Sequence, residues 1–173
     1  MNEQKLLLGE WACLGILYQK PLHGFAVAAQ LKPENRIGGV WSMSRALTYR
    51  CLDQLRGHGY IEAIAEEPGI AGGTRTVLAA TRSGRAALRH WLHTPVAHLR
   101  DLRSELLLKL LIAEHCGVDV AEMLVEQRVR VEAMAAALRS QADESSDDVV
   151  ALWRAETSSA ALRFLDRVVA AGG

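Results

Sequence analysis

The fold is decided by residues 41–61, which read Trp41-Ser-Met-Ser-Arg-Ala-Leu-Thr-Tyr-Arg-Cys-Leu-Asp-Gln-Leu-Arg-Gly-His-Gly-Tyr-Ile61. A serine hydroxyl at the start of this stretch can cap a helix by accepting a backbone N–H bond, and a glycine near its end can stop the helix in a left-handed turn. The capping serine is Ser42 or Ser44, and the terminating glycine is Gly57 or Gly59. Between these limits, helical spacing predicts one buried stripe, made of Leu47, Cys51, Leu52 and Leu55.

The opposite face of this predicted helix is basic and rich in hydroxyl groups. It carries Arg45, Tyr49, Arg50 and Arg56. A short helix with one apolar stripe and such a face suits a nucleic-acid groove, although a solvated helix surface has the same composition. The neighbouring segments decide between these two interpretations.

Two further helices are predicted before this stretch. The first covers residues 4–19 and is broken by Pro21. The second is short, runs from His23 to about Leu31, and has Phe25 among its inward residues. Residues 32–39 contain the helix breakers of a loop.

A hairpin and another helix are predicted after it. Extended segments cover residues 60–66 and 74–80, with a glycine-rich hairpin tip over residues 68–73. A helix then opens at residues 81–85 and ends before Pro95. Three helices followed by a hairpin and a further helix give the order of a winged helix-turn-helix DNA-binding domain, predicted over residues 1–95.

The remaining residues, 96–173, are predicted to be helical throughout, with helices over about 101–116, from 119 to about 140, and from about 147 to 170. The fold class is therefore mainly α, with the winged helix-turn-helix followed by a C-terminal helical region. Two long amphipathic helices at the end of a small chain either fold back on their own domain or pair with a second copy. We favour the homodimer, which makes this a dimerisation and effector region.

Composition and charge narrow the class of protein. Half of the residues are hydrophobic and the net charge is zero, but residues 1–98 hold 11 Lys/Arg against 7 Asp/Glu, whereas residues 99–173 hold 9 against 13. No apolar run approaches a membrane span, and the N-terminal segment lacks the pattern of a secretory signal. Three scattered cysteines form neither a disulfide framework nor a metal pattern, which fits a reducing compartment. These features predict a cytoplasmic protein with no membrane association, no metal and no cofactor.

The sequence resembles the PadR family of bacterial transcriptional regulators. The resemblance lies in Leu22-His-Gly-Phe25, in residues 41–61, in Thr81-Arg-Ser-Gly-Arg85 and in Arg100-Asp-Leu-Arg-Ser-Glu-Leu-Leu-Leu-Lys-Leu110. It implies a winged-helix homodimer that binds operator DNA, usually as a repressor, and that is often released by a small molecule. Two-fold symmetry would make the operator an inverted repeat.

The candidate DNA-binding residues are those whose side chains or backbone suit phosphates and base edges: Gly24, Ser42, Ser44, Arg45, Thr48, Tyr49, Arg50, Thr74 and Arg75. In the family register Thr48 stands where an apolar inward residue is usual, with Leu47 beside it. The sequence therefore leaves open which of Leu47 and Thr48 faces DNA.

Three tryptophans are candidates for binding a small aromatic or hydrophobic effector, because aromatic planes can enclose a flat ligand. They are Trp11, Trp91 and Trp153. No nucleophile elbow, phosphate loop or paired-carboxylate motif is present, so an enzyme is not expected. The alternative to a repressor is a ligand-binding or protein-interaction helical module with weak or no DNA binding, which the zero net charge favours.

Overall fold

The computed structural model describes residues 6–68, 73–144 and 147–171. In chain order the elements are α1 (Leu8–Ile16), β1 (Leu22–His23), α2 (Gly24–Gln30), α3 (Arg45–Gly57), β2 (Ile61–Pro68), β3 (Thr74–Ala80), α4 (Arg82–Leu92), a 3₁₀ turn (Leu99–Asp101), a π-helical turn (Leu102–Leu106), α5 (Leu107–Cys116), α6 (Ala121–Glu144) and α7 (Val149–Ala171). The mainly helical fold class is confirmed. Within the described residues, no helix is long and apolar enough to cross a membrane.

The described residues divide into two compact units that alternate along the chain. The first unit is formed within residues 1–92 and 107–119, and the second within residues 93–106 and 120–173. The chain therefore leaves the first unit after α4, returns to it for α5, and leaves it again before α6. The predicted functional division at residue 95 stays a prediction.

Helix α1 forms the centre of the first unit. It packs against α2, α3, α4 and α5. Ala12, Cys13, Leu14 and Ile16 are all almost completely buried. All residues of α1 except Leu8 and Trp11 are buried, Glu10 included, so other elements enclose this helix on most sides.

The sheet has three antiparallel strands in the order β1-β3-β2. The hairpin of β2 and β3, here called the wing, was predicted, and Ile61 pairs with Ala80 at its base. The register shifts between Ala63 and Ala65, which is a β-bulge. The two-residue strand β1 was not predicted; it pairs Leu22 with Leu78 of the wing. The predicted hairpin tip lies mostly outside the described residues, since positions 69–72 are not described. Three helices and this wing make the first unit a winged helix-turn-helix, as predicted.

The Thr81–Arg85 motif joins the wing to α4. The Thr81 hydroxyl donates to the carbonyl oxygen of Gly59 at 2.8 Å and accepts from the backbone N–H of Gly84 at 3.1 Å. A Cβ on Gly84 would lie only 2.1 Å from the carbonyl oxygen of Tyr60, so no larger residue fits there without a shift. The Arg85 guanidinium donates to the carbonyl oxygen of Tyr18 and lies over the Tyr18 ring. This motif therefore serves the packing of the unit.

The second unit is built on α6 and α7, which pack along each other. Arg128 on α6 donates to Asp166 on α7 at 2.6 Å. The side chain of Gln127 is fully buried and accepts from the backbone N–H of Val96 at 2.6 Å while donating to the Val96 carbonyl at 3.1 Å. This pair of hydrogen bonds fixes the segment before the 3₁₀ turn to α6. The sequence predicted a turn from residue 141, but α6 continues to Glu144.

Candidate nucleic-acid interface

A cleft of about 610 Å³ lies between α3, the start of α2 and strand β3 of the wing. We call it the interface cleft. It brings together five of the predicted DNA-binding residues: Gly24, Arg45, Tyr49, Thr74 and Arg75. Arg56, which the sequence placed on the basic face of this helix, also borders the cleft. The cleft further contains residues that the sequence did not single out for DNA contact: His23, Phe25, Leu52, Asp53, Gly73, Thr76 and Leu78.

Helix α3 is held at both ends as the sequence predicted. Ser44 is the N-cap, and its side-chain oxygen accepts from the backbone N–H of Leu47 at 3.2 Å. Gly59 has a φ of +71°, which provides the left-handed turn after the helix. Of the two alternatives at each end, the structure therefore selects Ser44 and Gly59.

Gly24 allows α2 and α3 to approach each other closely, because it has no side chain. A Cβ at this position would lie 2.9 Å from Cε1 of Tyr49 and 3.3 Å from Cδ1 of Leu52. The Tyr49 ring thus lies directly on the backbone at the first residue of α2. Any larger side chain at residue 24 would displace the ring.

Arg45 is held between two aromatic rings. Its guanidinium carbon lies 5.4 Å from the centroid of the Phe25 ring and 5.9 Å from that of Tyr49. Both distances are within the range of cation–π attraction. Phe25 is 58% exposed, so the prediction that it points inward is wrong. It faces the cleft because Gly24 and Val27 turn the other side of α2 to the core.

The rotation of α3, which the sequence left open, is settled by burial. Thr48 is fully buried and its hydroxyl donates to the carbonyl oxygen of Ser44 at 3.0 Å. Leu47 is 47% exposed. Thr48 therefore does not lie on the exposed face, which corrects its place among the candidate DNA contacts. The assignment of Leu47 to the buried stripe is wrong for the same reason.

The other predicted contacts lie outside the interface cleft. Ser42 and Arg50 are exposed, and Ser44 is exposed at the helix end that it caps. Within the cleft, Asp53 lies 3.8 Å from Arg56. This acidic residue offsets part of the positive charge that Arg45, Arg56 and Arg75 supply.

His23, the residue before α2, contacts strand β2 at the end of the wing that lies far from Ile61 and Ala80. Its Nε2 lies 3.2 Å from a carboxylate oxygen of Glu67. Its Nδ1 is buried and, within the part of the chain that the structure describes, has no hydrogen-bond partner. His23 thus presents one paired and one unpaired ring nitrogen next to the cleft.

Two of the three candidate effector tryptophans meet in the first unit. The rings of Trp11 and Trp91 are stacked, with centroids 4.9 Å apart and an interplanar angle of 9°. The ammonium group of Lys109, which is fully buried, lies 4.9 Å from the Trp91 ring centroid. The two tryptophans therefore fill the space between them, and no flat ligand fits there. Trp153 is 69% exposed on α7.

The described titratable and metal-ligating side chains give little indication of metal binding or of a catalytic nucleophile. Across the three described ranges, no group of three or more His, Cys, Asp or Glu side chains could hold a metal ion. Burial raises the pKa of the Cys116 thiol to about 12. This thiol is therefore unsuited to act as a nucleophile near neutral pH.

A match to a family model supports the sequence resemblance. Residues 13–90 match the model of the transcriptional regulator PadR-like family. Bacillus subtilis PadR in complex with operator DNA is 19% identical, with 95% of this chain and 98% of that chain covered and a TM-score of 0.46. The same protein in complex with p-coumaric acid is 18% identical, with 95% of each chain covered and a TM-score of 0.42. The PadR-like transcriptional regulator BC1756 from Bacillus cereus is 21% identical over the whole of both chains, with a TM-score of 0.44. No curated protein matches the chain.

Proposed function

Because residues 13–90 are a domain of the PadR-like family of transcriptional regulators, we propose that this chain is a sequence-specific DNA-binding repressor. We further propose that it acts as a homodimer on an inverted-repeat operator in the cytoplasm and is released by a small aromatic or hydrophobic effector. Residues 1–95 would bind DNA, and residues 96–173 would dimerise and respond to the effector.

The observation that carries the DNA-binding proposal is the position of Arg45 in the interface cleft. Its guanidinium is held by Phe25 and Tyr49 in the first turn of an exposed helix. An arginine fixed at the start of a recognition helix can donate two hydrogen bonds to the O6 and N7 atoms of guanine. Arg75 and Thr74 of the wing border the same cleft and would contact the adjacent sugar-phosphate backbone.

The direct test is a binding titration with an inverted repeat from the promoter beside the coding sequence of this protein. Wild-type affinity is expected to fall log-linearly with salt, because each neutralised phosphate releases counterions. Arg45→Ala should weaken binding by about 1–3 kcal/mol. Arg139→Ala, which removes an exposed arginine from α6, is the matched control and should leave affinity unchanged. Equal affinities of wild type and Arg45→Ala would overturn the assignment of Arg45.

The homodimer proposal is supported by an exposed apolar stripe on α7. Val149 is 74% exposed, Trp153 is 69% exposed and Phe164 is 38% exposed. Trp153 is four positions after Val149, and Phe164 is eleven positions after Trp153. At this spacing the three side chains lie along one side of the helix. A second copy of the same stripe across a two-fold axis would cover it.

The effector proposal rests on Trp153 alone among the three tryptophans, because Trp11 and Trp91 already stack on each other. Small planar aromatic acids and uncharged aromatic compounds are the ligands to test. Quenching of tryptophan fluorescence in wild type, but not in Trp153→Phe, together with release of DNA, would support this assignment. Ligand-induced release that persists in Trp153→Phe would place the effector elsewhere.

Two observations favour the alternative, a ligand-binding or protein-interaction module with weak or no DNA binding. Asp53 lies inside the interface cleft, and the chain has no net charge. The salt titration separates the two functions. An affinity for DNA that does not change with salt would favour the alternative.

A further inference from the structure

Helix α3 carries a second exposed row of side chains besides the residues that border the interface cleft. Leu47, Arg50 and Gln54 are exposed, and all three lie outside that cleft. They follow one another at intervals of three and four residues, so they are neighbours along one line of the helix. We call this line the outer row.

The buried side of α3 fixes the direction of the outer row. Thr48, Leu52 and Leu55 are almost completely buried. The Thr48 hydroxyl is satisfied inside the helix, where it donates to the carbonyl oxygen of Ser44. Turning α3 until Leu47 was buried would carry Leu52 out of the core. The outer row therefore stays at the surface of the first unit.

Leu47 lies in the first turn of α3. The helix begins at Arg45, and the backbone N–H of Leu47 donates to the side chain of the capping residue, Ser44. In helix-turn-helix proteins the N-terminal residues of the recognition helix are those that contact base edges in the major groove. Leu47 thus brings an apolar side chain to the end of α3 that is best placed to contact bases.

The side chains of the outer row match the groups that bases present in the major groove. Thymine presents a methyl group there, and apolar side chains contact it. Arginine donates two hydrogen bonds to guanine, and glutamine pairs with adenine in the same groove. The outer row has one positive charge, from Arg50, and no acidic residue. An apolar protein surface over Leu47 would also cover Arg50 and leave its charge without water or a partner, which is costly.

We propose that Leu47 is a specificity-determining residue that contacts the methyl group of one thymine in each operator half-site. This inference rests on the proposed function, because it names a base that the same helix recognises. Arg50 lies about 4.5 Å further along the helix axis. Bases of one strand are spaced about 3.4 Å apart, so Arg50 would contact an adjoining base pair. Removal of one methyl group from water corresponds to about a fourfold gain in affinity.

The first measurement changes only the DNA. Deoxyuridine differs from thymidine by the missing methyl group. The probe is the inverted-repeat duplex from the promoter beside the coding sequence, prepared as a series in which one symmetry-related pair of thymines at a time is replaced by deoxyuridine. In titrations of the full chain at fixed salt, one replaced pair should weaken binding by about fourfold for each half-site. Equal affinity for every duplex of the series would overturn the proposal.

The second measurement identifies the residue that contacts this methyl group. Leu47→Ala should bind the thymine duplex and the deoxyuridine duplex equally, because the side chain that reaches the methyl group is shortened. Leu7→Ala removes another exposed leucine of the first unit, and as the matched control it should keep the wild-type ratio of the two affinities. Arg50→Ala should weaken binding to both duplexes by the same factor. A wild-type ratio in Leu47→Ala would overturn the proposal, because another residue would then contact the methyl group.

The outcomes for Leu47 and for the proposed function are distinguishable. Salt-dependent binding of the wild-type chain to the operator, with no effect of deoxyuridine at any position, would refute the role of Leu47 and leave the repressor proposal standing. No binding of the wild-type chain to the operator would refute both. Urea unfolding of Leu47→Ala should resemble that of wild type, because the side chain is exposed. Should the variant be unstable, the deoxyuridine series with the wild-type chain still decides the point.

Discussion

The guanidinium carbon of Arg45 lies 5.4 Å from the centroid of the Phe25 ring. This contact joins the first turn of α3 to the first turn of α2, and both residues border the interface cleft. Phe25 is 58% exposed. Its position indicates that it orients Arg45 for a ligand on the open side of the cleft.

Phe25→Ala is therefore expected to weaken operator binding, because Arg45 would lose one of the two rings that hold it. The expected loss is about 0.5–1 kcal/mol, the usual strength of an exposed cation–π contact. Phe25→Tyr, which keeps the ring, is the control and should bind as wild type does. The measurement is a titration at fixed salt, and equal binding by the alanine and tyrosine variants would contradict the role assigned to Phe25.

Gly24→Ala is expected to displace the Tyr49 ring, since the new Cβ would lie 2.9 Å from Cε1 of that ring. Overpacking of this kind costs about 1–3 kcal/mol of stability, and operator binding should weaken with it. Gly57→Ala is the matched control, because nothing lies within 4 Å of its Cβ position at the end of α3. That change should be neutral or stabilise the protein by up to about 1 kcal/mol. Urea unfolding measures both variants, and a neutral Gly24→Ala would show that Tyr49 can move freely.

Gln127→Leu is expected to destabilise the second unit by about 1–3 kcal/mol, because the backbone N–H and carbonyl of Val96 would both lose their buried partner. Gln141→Leu, at an exposed position of the same helix, controls for the added apolar surface. Thermal and urea unfolding should show a clear difference in stability between the two variants. Similar stabilities would mean that water replaces the lost hydrogen bonds.

Trp153→Lys is expected to convert a homodimer into a monomer, because the charge would be buried without a partner at the two-fold axis. A central aromatic residue of an interface commonly contributes about 2 kcal/mol or more. Trp153→Phe keeps an apolar ring and should stay dimeric. Light scattering coupled to size exclusion measures the mass of both. A monomeric wild-type protein at micromolar concentration would refute the proposed dimer.

Local signals in the sequence predicted the helix–turn–helix and the wing well. The Ser44 cap and the Gly59 turn fix both ends of α3 through interactions within a few residues. Local features of this kind can be predicted from the sequence alone. The rotation of α3 was not predictable in this way. Leu47 and Thr48 are adjacent, and only the packing against α1 and α2 decides which of them is buried.

Long-range contacts were the other class of feature that the sequence could not supply. Strand β1 has two residues and exists only because β3, more than 50 residues later, pairs with it. Phe25 was expected to point inward, and it is exposed because Gly24 and Val27 turn the other side of α2 to the core.

Strand β1 ends at His23, and α2 begins at the next residue. Because β1 is hydrogen-bonded to β3, the wing is joined directly to the start of α2, which packs against α3. The wing and α3 would therefore approach a double helix as one rigid body, with a fixed distance between them. An operator with a different groove geometry could not be accommodated by swinging the wing outward. The DNA itself would have to bend or narrow, and flexible base steps beneath the wing would then be part of what the proposed repressor recognises.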